Sequence, residues 1–451
     1  MKTGVGLTVG FIVLLAALWL LADGQALFSP DQRSFRHGIV QLSGMLAIGS
    51  MCFAVVLAAR PKWLEPALDG LDKMYWLHKW IGVTALVFAT LHWWYAEGRH
   101  LFAGGGGGGG GGPSPGAAAG AAGASPGPAR TLSLFADQIG VAKQVGEWAF
   151  YTAVVLILIA LIKKIPYRLF AITHVLMTAV FLALVYHALV LVRPAYWMQP
   201  IGWAMAVTLV AGVAAAAVVL ARRLGVRAGV DGVVTAQTWY PELRVLETHI
   251  RLAEGWPGHE PGQFAFLTTR AWEGAHPFTI ASAWNTTDRT LMFIAKELGD
   301  YTARLRDEFA PGCKVKVEGP HGCFNFEDGR PSQIWVGAGV GITPFVARMK
   351  LLAMVESTQV IHLFHSTADV SDRALGKLRA DADAAGVHLH ITVTSRDPHL
   401  SGETIRRLVP DWPSASLWFC GPLKFGNALK RDFVAKGMPA ADFHQERFAM
   451  R

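Results

Sequence analysis

Six stretches in the first half of the chain are almost wholly apolar, and the second half has nothing like them. They cover about residues 4–22, 38–59, 74–95, 146–162, 168–191 and 199–221. Each is close to the roughly 20 apolar residues that a membrane helix needs. The first reads as an anchor and not a cleaved signal peptide, because no small-x-small site follows before Asp23 and Gly24. Beyond residue 225 the pattern shortens. Gly232-Val-Val-Thr, Leu243-Arg-Val-Leu, His249-Ile-Arg-Leu and Gln263-Phe-Ala-Phe-Leu read as short strands of a small antiparallel barrel over 225–328. Over 331–451 apolar strands alternate with helical stretches, which predicts a parallel α/β domain. The expected architecture is multi-domain: a six-helix transmembrane bundle over 1–221, then the antiparallel β-barrel, then the α/β nucleotide-binding domain. Residues 103–130, with glycine throughout 104–112, have too little apolar surface to order themselves. They are expected to form a flexible outer loop without a catalytic role.

Composition agrees with a chain half in lipid. It is 52% hydrophobic and 16% charged, against about 25% charged in soluble domains. The net charge of +8 has no basic cluster interleaved with aromatics, so a nucleic-acid partner is not expected. Much of the excess instead flanks the apolar runs. Lys2, Arg60, Lys62, Lys73, Lys163, Lys164, Arg168, Arg222, Arg223 and Arg227 fall on one side. Arg33, Arg36, Arg99, Arg130, Lys143 and Arg193 fall on the other. The positive-inside rule then makes the C-terminal half cytoplasmic. Cys52, Cys313, Cys323 and Cys420 show no metal-knuckle or redox spacing.

Four histidines lie inside the apolar runs. His78 and His92 are 14 residues apart in the third; His174 and His187 are 13 apart in the fifth. An ionisable group in a span is costly and marks function, and imidazole is the usual protein ligand of haem iron. The separations correspond to about 21 Å and about 19.5 Å of helix. Both spans run outward, so His78 matches His174 near the inner end, and His92 matches His187 near the outer end. Two bis-histidine haems stacked across the bilayer follow. Fourteen steps nearly return to one helix face, whereas 13 miss by about 140°. The fifth span therefore needs a bulge, a kink or a swivelled ring. Arg33, Arg36 and Arg193 are placed either to meet haem propionates or to serve topology.

In the second half, the strand Gln333-Ile-Trp-Val runs into Gly337, Gly339, Gly341, Thr343 and Pro344. Glycines there let backbone amides approach a pyrophosphate at a helix N-terminus, although a tight turn alone would also need them. A second turn, Cys420-Gly421-Pro422, follows a late strand. His276, Pro277, Phe278 and Thr279 could border a flavin ring and ribityl chain or form a plain strand. Gly299, Asp300, Tyr301 and Thr302 open a helix whose free amides could hold a diphosphate, or simply cap it. Ser395 and Arg396 follow the strand His390-Ile-Thr-Val and suit a 2′-phosphate; Asp397 beside them would suit a ribose diol.

Taken in order, Pro261-Gly262-Gln263-Phe264, His276-Pro277-Phe278-Thr279, Gly299-Asp300-Tyr301-Thr302, Gly339 to Pro344, Cys420-Gly421-Pro422 and Glu446-Arg447-Phe448 resemble the ferredoxin–NADP reductase family. The membrane half resembles the ferric reductase transmembrane family. Together they look like bacterial relatives of the NADPH oxidases and ferric reductases. The resemblance implies an NAD(P)H oxidase or ferric reductase-type flavocytochrome b. Its cofactors would be FAD and two haem b groups, its donor NADPH more readily than NADH, and its acceptor O2 or ferric iron. A quinone or periplasmic partner as acceptor, or a non-enzymatic redox sensor, is the alternative. It also implies roles: His276 to Thr279 at the flavin ring, Gly299 to Thr302 at the FAD phosphates, and Gly339 to Pro344 with Cys420 to Pro422 at the nicotinamide nucleotide. Phe448 would stack on the flavin, making Phe448, Cys420 and Thr279 the catalytic set. His276 stands where many soluble reductases carry Arg, as in the membrane branch.

Overall fold

The computed structural model describes residues 2–98, 137–162, 164–165, 167–223, 229–269, 275–297, 302, 304–355 and 357–446. The glycine-rich segment 103–130, Gly299, Asp300, Tyr301 and Phe448 lie outside the described residues. The chain divides into two compact units: Met1–Pro61 with Tyr75–Leu220, and Lys62–Met74 with Ala221–Arg451.

The first unit is helical. Its long helices are α1 (Lys2–Asp23), α2 (Gln32–Ala58), α3 (Leu71–Trp93), α4 (Ile139–Leu161), α5 (Tyr167–Leu191) and α6 (Pro200–Arg223). All but α3 are long and apolar enough to cross a membrane. α3 carries Asp72, Lys73, His78, Lys79 and His92, which lower its mean hydropathy. The core holds Trp19, Cys52, Phe181, Tyr196, Ile201 and Leu209. The outward faces are apolar too: Val13, Trp148, Val207 and Val210 are all exposed. An apolar surface of that extent suits lipid and not water. Asp31 caps α2 by accepting from the amides of Arg33 and Ser34. The end of α1 is tied to the turn before α6: Asp23 accepts from Tyr196 Oη at 2.6 Å and pairs with Arg193, and Trp19 Nε1 donates to Tyr196.

The second unit has two sheets. The strands β1 (Val230–Tyr240), β2 (Val245–Leu252), β3 (Phe264–Thr268), β4 (His276–Thr279), β5 (Thr290–Lys296) and β6 (Lys314–His321) form an antiparallel sheet in the order β4-β3-β6-β1-β2-β5. A bridge between Ile280 and Phe293 brings its two edges together. Leu243 to Leu246 and His249 to Leu252 were expected as separate strands. They form one, β2, which starts after Arg244 takes a left-handed φ of 51°. Its backbone pairs with β1 along one edge and with β5 along the other, from Val245 to Arg251, so no break is needed.

The other sheet is parallel: β7 (Ser332–Ala338), α7 (Thr343–Leu352), β8 (Val360–Thr367), α8 (Asp372–Ala384), β9 (His388–Val393), α9 (Gly402–Leu408), β10 (Ala415–Cys420), α10 (Leu423–Ala435) and β11 (Phe443–Gln445). The strand order is β11-β10-β7-β8-β9, so the crossover from β9 to β10 makes a switch point beside β7. Ligands bind there, outside the C-terminal strand ends. The middles of its central strands are apolar, with Trp335, Val336, Leu363, Leu417 and Phe419 buried, as helices on both faces require. α8 is fastened to β2 by Lys377, whose Nζ lies 2.6 and 2.8 Å from the two carboxylate oxygens of Glu247. Burial would raise the Glu247 carboxyl, but hydrogen bonds from His249 and Lys377 hold it at about 2.

Candidate functional site

In the helical unit the four histidines form two pairs. His78 on α3 and His174 on α5 have ring centres 5.8 Å apart at 78°. His92 and His187 are 6.0 Å apart at 88°. A metal–imidazole bond of about 2 Å on each side sets two ring centres roughly 6 Å apart. Nδ1 of His78, His92 and His187 is hydrogen-bonded to the carbonyls of Ala54, Val40 and Ala142, at 2.8, 2.9 and 2.8 Å. A carbonyl makes Nδ1 the protonated nitrogen, which leaves the Nε2 lone pair for a metal. Phe170 stacks on His174 at 5.1 Å. The donor set and spacing fit one iron between each pair.

Two glycines make room for the outer pair. A Cβ on Gly44 would stand 2.9 Å from His92 Nδ1, and one on Gly146 only 2.0 Å from His187 Nδ1. α5 is α-helical from Tyr167 to Leu191, so the 13-residue spacing is absorbed without a π-bulge. Arg36 donates to the carbonyls of Tyr95 and Ala96, and Arg193 pairs with Asp23. Both guanidinium groups thus have protein partners, which favours the topological role for them.

In the second unit, β7 ends at Ala338 and a tight turn over Gly339–Ile342 leads into α7. Gly339 has φ 57°. A Cβ on Gly341 would lie 2.2 Å from the Cys420 carbonyl, so only glycine lets the two turns meet. Gly337 pairs with Cys420 across β7 and β10, which brings Gly337 to Pro344 and Cys420 to Pro422 together at one sheet edge. Thr343 Oγ1 donates back to Val340 at 2.7 Å. A crevice beside this turn is lined by His365, Thr367, Ser371 and, from the antiparallel sheet, Tyr240, Met292 and Ile294. Its C-terminal strand ends suit a nucleotide.

The other predicted residues are farther along the same unit. His276, Pro277, Phe278 and Thr279 are β4, paired with β3 from Leu267 to Phe264. The Thr279 side chain is buried, and the other three are half-buried. Ser395 and Arg396 lie in the turn after β9, with Arg396 exposed. Asp397 turns back instead, accepting from the Val393 amide at 2.8 Å. Thr302 is described, but its partners Gly299 to Tyr301 are not.

Two acids of this unit, Glu65 and Glu446, have settings that no sequence motif marks. Glu65, in the segment Lys62–Met74, accepts from the Gly322 amide at 2.6 Å and lies 3.2 Å from His321 Nδ1. Only the basic residues of that segment entered the topology reading, although Glu65, Asp69 and Asp72 were visible there. Glu446 is buried, and burial together with the Asp72 carboxylate pushes it up to about 8. Cys420 is fully buried, and burial, with Glu446 nearby, pushes its thiol well up. It is a neutral thiol and not a nucleophile at pH 7.

Glu446 thus holds its proton more tightly folded than unfolded. The stability this contributes is complete below about pH 4.5 and lost as pH rises through about 8. Glu446→Gln is therefore expected to match the parent at pH 5 and to melt higher at pH 8.5. Release of flavin fluorescence on heating measures it, at about 2–4 °C per kcal/mol. Equal melting at both pH values would show that the carboxyl titrates normally.

Residues 43–185 match the family described as "Ferric reductase like transmembrane component", and residues 233–336 match "FAD-binding domain". Together the two matches support a ferric reductase/NADPH oxidase-type superfamily. Members similar to it include ferric reduction oxidase 5 of Arabidopsis thaliana, 36% identical over 81 residues, which are 17% of this chain and 12% of that one. The stachydrine N-demethylase reductase subunit Stc4 of Rhizobium meliloti (strain 1021) is 26% identical over 206 residues, 42% of this chain and 58% of that one. The chain thus spans little more than half the length of one of these relatives and an eighth of the other. Among solved structures, a flavohemoglobin from Malassezia yamatoensis with bound FAD and heme superposes over 92% of this chain and 97% of its own at 15% identity, TM-score 0.49. The chain thus carries a ferric-reductase-like transmembrane component followed by an FAD-binding domain.

Proposed function

We propose that the chain is a flavocytochrome b that carries electrons from cytosolic NADPH, through FAD and two b-type haems, to an acceptor outside. O2, reduced to superoxide, and ferric iron are the acceptors weighed. The observation that carries this reading is the pair of histidine couples about 6 Å apart, three of whose rings have Nδ1 held by a backbone carbonyl. The superfamily assignment supports it.

When bound, FAD accepts a hydride and releases single electrons, and the haems relay them singly. The chain's own groups would do the rest. His78 and His174 would hold the inner iron, and His92 and His187 the outer. A histidine on each side would leave neither iron open to an outside ligand. The turn Gly339–Ile342 would present amides to the nucleotide pyrophosphate at the start of α7. Ser395 and Arg396 would meet the 2′-phosphate. NADPH is favoured because the Asp397 carboxylate is engaged with the Val393 amide and not free to take a ribose diol. His276 to Thr279 would border the flavin, Gly299 to Thr302 would meet its phosphates, and Phe448 would stack on its ring. The neutral Cys420 thiol would line the nicotinamide pocket beside Glu446, which keeps its carboxyl proton at pH 7. The excess of Lys and Arg on one side of the spans supports a cytoplasmic reductase unit, with α3 as the sixth span, in a bacterial inner membrane.

The test is an absorption spectrum followed by a turnover assay on liposomes. One FAD and about two low-spin b-type haems per chain are expected, both haems reduced by NADPH. Dismutase-sensitive dye reduction identifies O2 as acceptor; an Fe(II)-chelator signal identifies ferric iron. A preparation saturated with FAD that shows no flavin band, or no NADPH-driven haem reduction, would overturn the reading.

A further inference from the structure

Three histidines outside the proposed electron path share one face of the parallel sheet. His388 and His390 stand two residues apart on β9, so they project to the same side. His362 lies opposite His388 on β8. The rings of His362 and His388 are 4.8 Å apart at 25°, and those of His362 and His390 5.5 Å apart at 16°. Phe364 closes the array, stacked on His390 at 4.4 Å. Nδ1 of His362 lies 3.2 Å from Nε2 of His390. β9 is an edge strand, and His388 on it is exposed.

Stacked packing alone would not call for imidazoles. An edge strand is served as well by Thr or Val, and three adjacent imidazoles bring ring nitrogens against one another. The 3.2 Å between His362 and His390 has a second meaning. Two nitrogens bound to one tetrahedral ion at 2.0–2.1 Å stand roughly 3.3 Å apart.

We propose that His362, His388 and His390 form a site for one divalent transition-metal ion of the zinc class, with water at the fourth position. Three histidines with an open fourth position are an established zinc ligand set. Among the described residues no three such donors are already converged on one point. His388 must therefore turn its ring about its own side-chain torsions, and its exposure leaves it free to do so. The site is at the starts of β8 and β9. The proposed nucleotide site is at their far ends, beyond Val393, which is about 10 Å along the strand from His390. Bound metal would clamp the edge strand to its neighbour.

The test uses the full chain in nanodiscs, stripped with a chelator, equilibrated with zinc sulfate and gel-filtered. Elemental mass spectrometry then counts zinc, separately from haem iron. The parent is expected to keep about one zinc per chain. His362→Ala and His390→Ala should each bind at least tenfold more weakly, and His399→Ala, an exposed histidine elsewhere, should bind as the parent does. Flavin and haem bands equal to the parent's show that the variants fold. Zinc absent from the parent, or retained equally in all four proteins, would overturn the site.

Discussion

With His78 replaced by leucine, NADPH should still reduce the flavin, while reduction of the outer acceptor falls on the order of 100-fold or more. The expectation follows from what His78 does in the helical unit. Its Nδ1 is hydrogen-bonded to the Ala54 carbonyl, and its ring stands 5.8 Å from that of His174. Even groups that only orient a metal ligand matter 10- to 100-fold on average, and losing the ligand itself should exceed that. Leucine is apolar and suits a span, so the helix should still insert. Haem content should drop to about one per chain, and the remaining signal should be that of the His92 and His187 pair. Two assays separate the steps: anaerobic flavin bleaching by NADPH, and turnover with the outer acceptor. Survival of two low-spin haems in the variant would mean that His78 is a buried histidine and no ligand.

The second large effect needs no change to any histidine. Gly146→Ala should remove the outer haem as completely as His187→Leu does. The added Cβ would lie 2.0 Å from Nδ1 and 2.3 Å from Cε1 of His187, far inside contact distance, so the ring must leave its place. It would then lose both the Ala142 carbonyl and the position facing His92. Alanine is the better helix former by about 1 kcal/mol, so helix propensity cannot account for a loss. Gly140→Ala on the same helix meets nothing within 4 Å and should keep both haems. Spectra of the two variants decide the matter. Equal haem content in Gly146→Ala and Gly140→Ala would show that His187 has freedom the structure does not display.

The apolar runs determined the helices, because a segment surrounded by lipid must satisfy its backbone internally and cover itself with apolar side chains. Residue spacing and direction along those runs also determined which histidines share a depth. The order of the glycine turns determined the kind of sheet that follows, since a phosphate-cradling turn needs small residues at fixed offsets from a strand end. Pairing was another matter. The 13 residues between His174 and His187 conflict with one helix face, and only the tertiary structure shows both rings beside their partners, with centres 5.8 and 6.0 Å apart. The carbonyls of Ala54, Val40 and Ala142 carry no residue-type signal, so no sequence pattern points to them. Gly146 read as an ordinary small residue in a span until His187 was seen against it. Glu65 and Glu446 acquire their settings from segments far away in the chain: Glu65 from His321 and Gly322, Glu446 from burial near Asp72. Burial and approach of that kind depend on tertiary packing, which brings together residues that the chain keeps hundreds of positions apart.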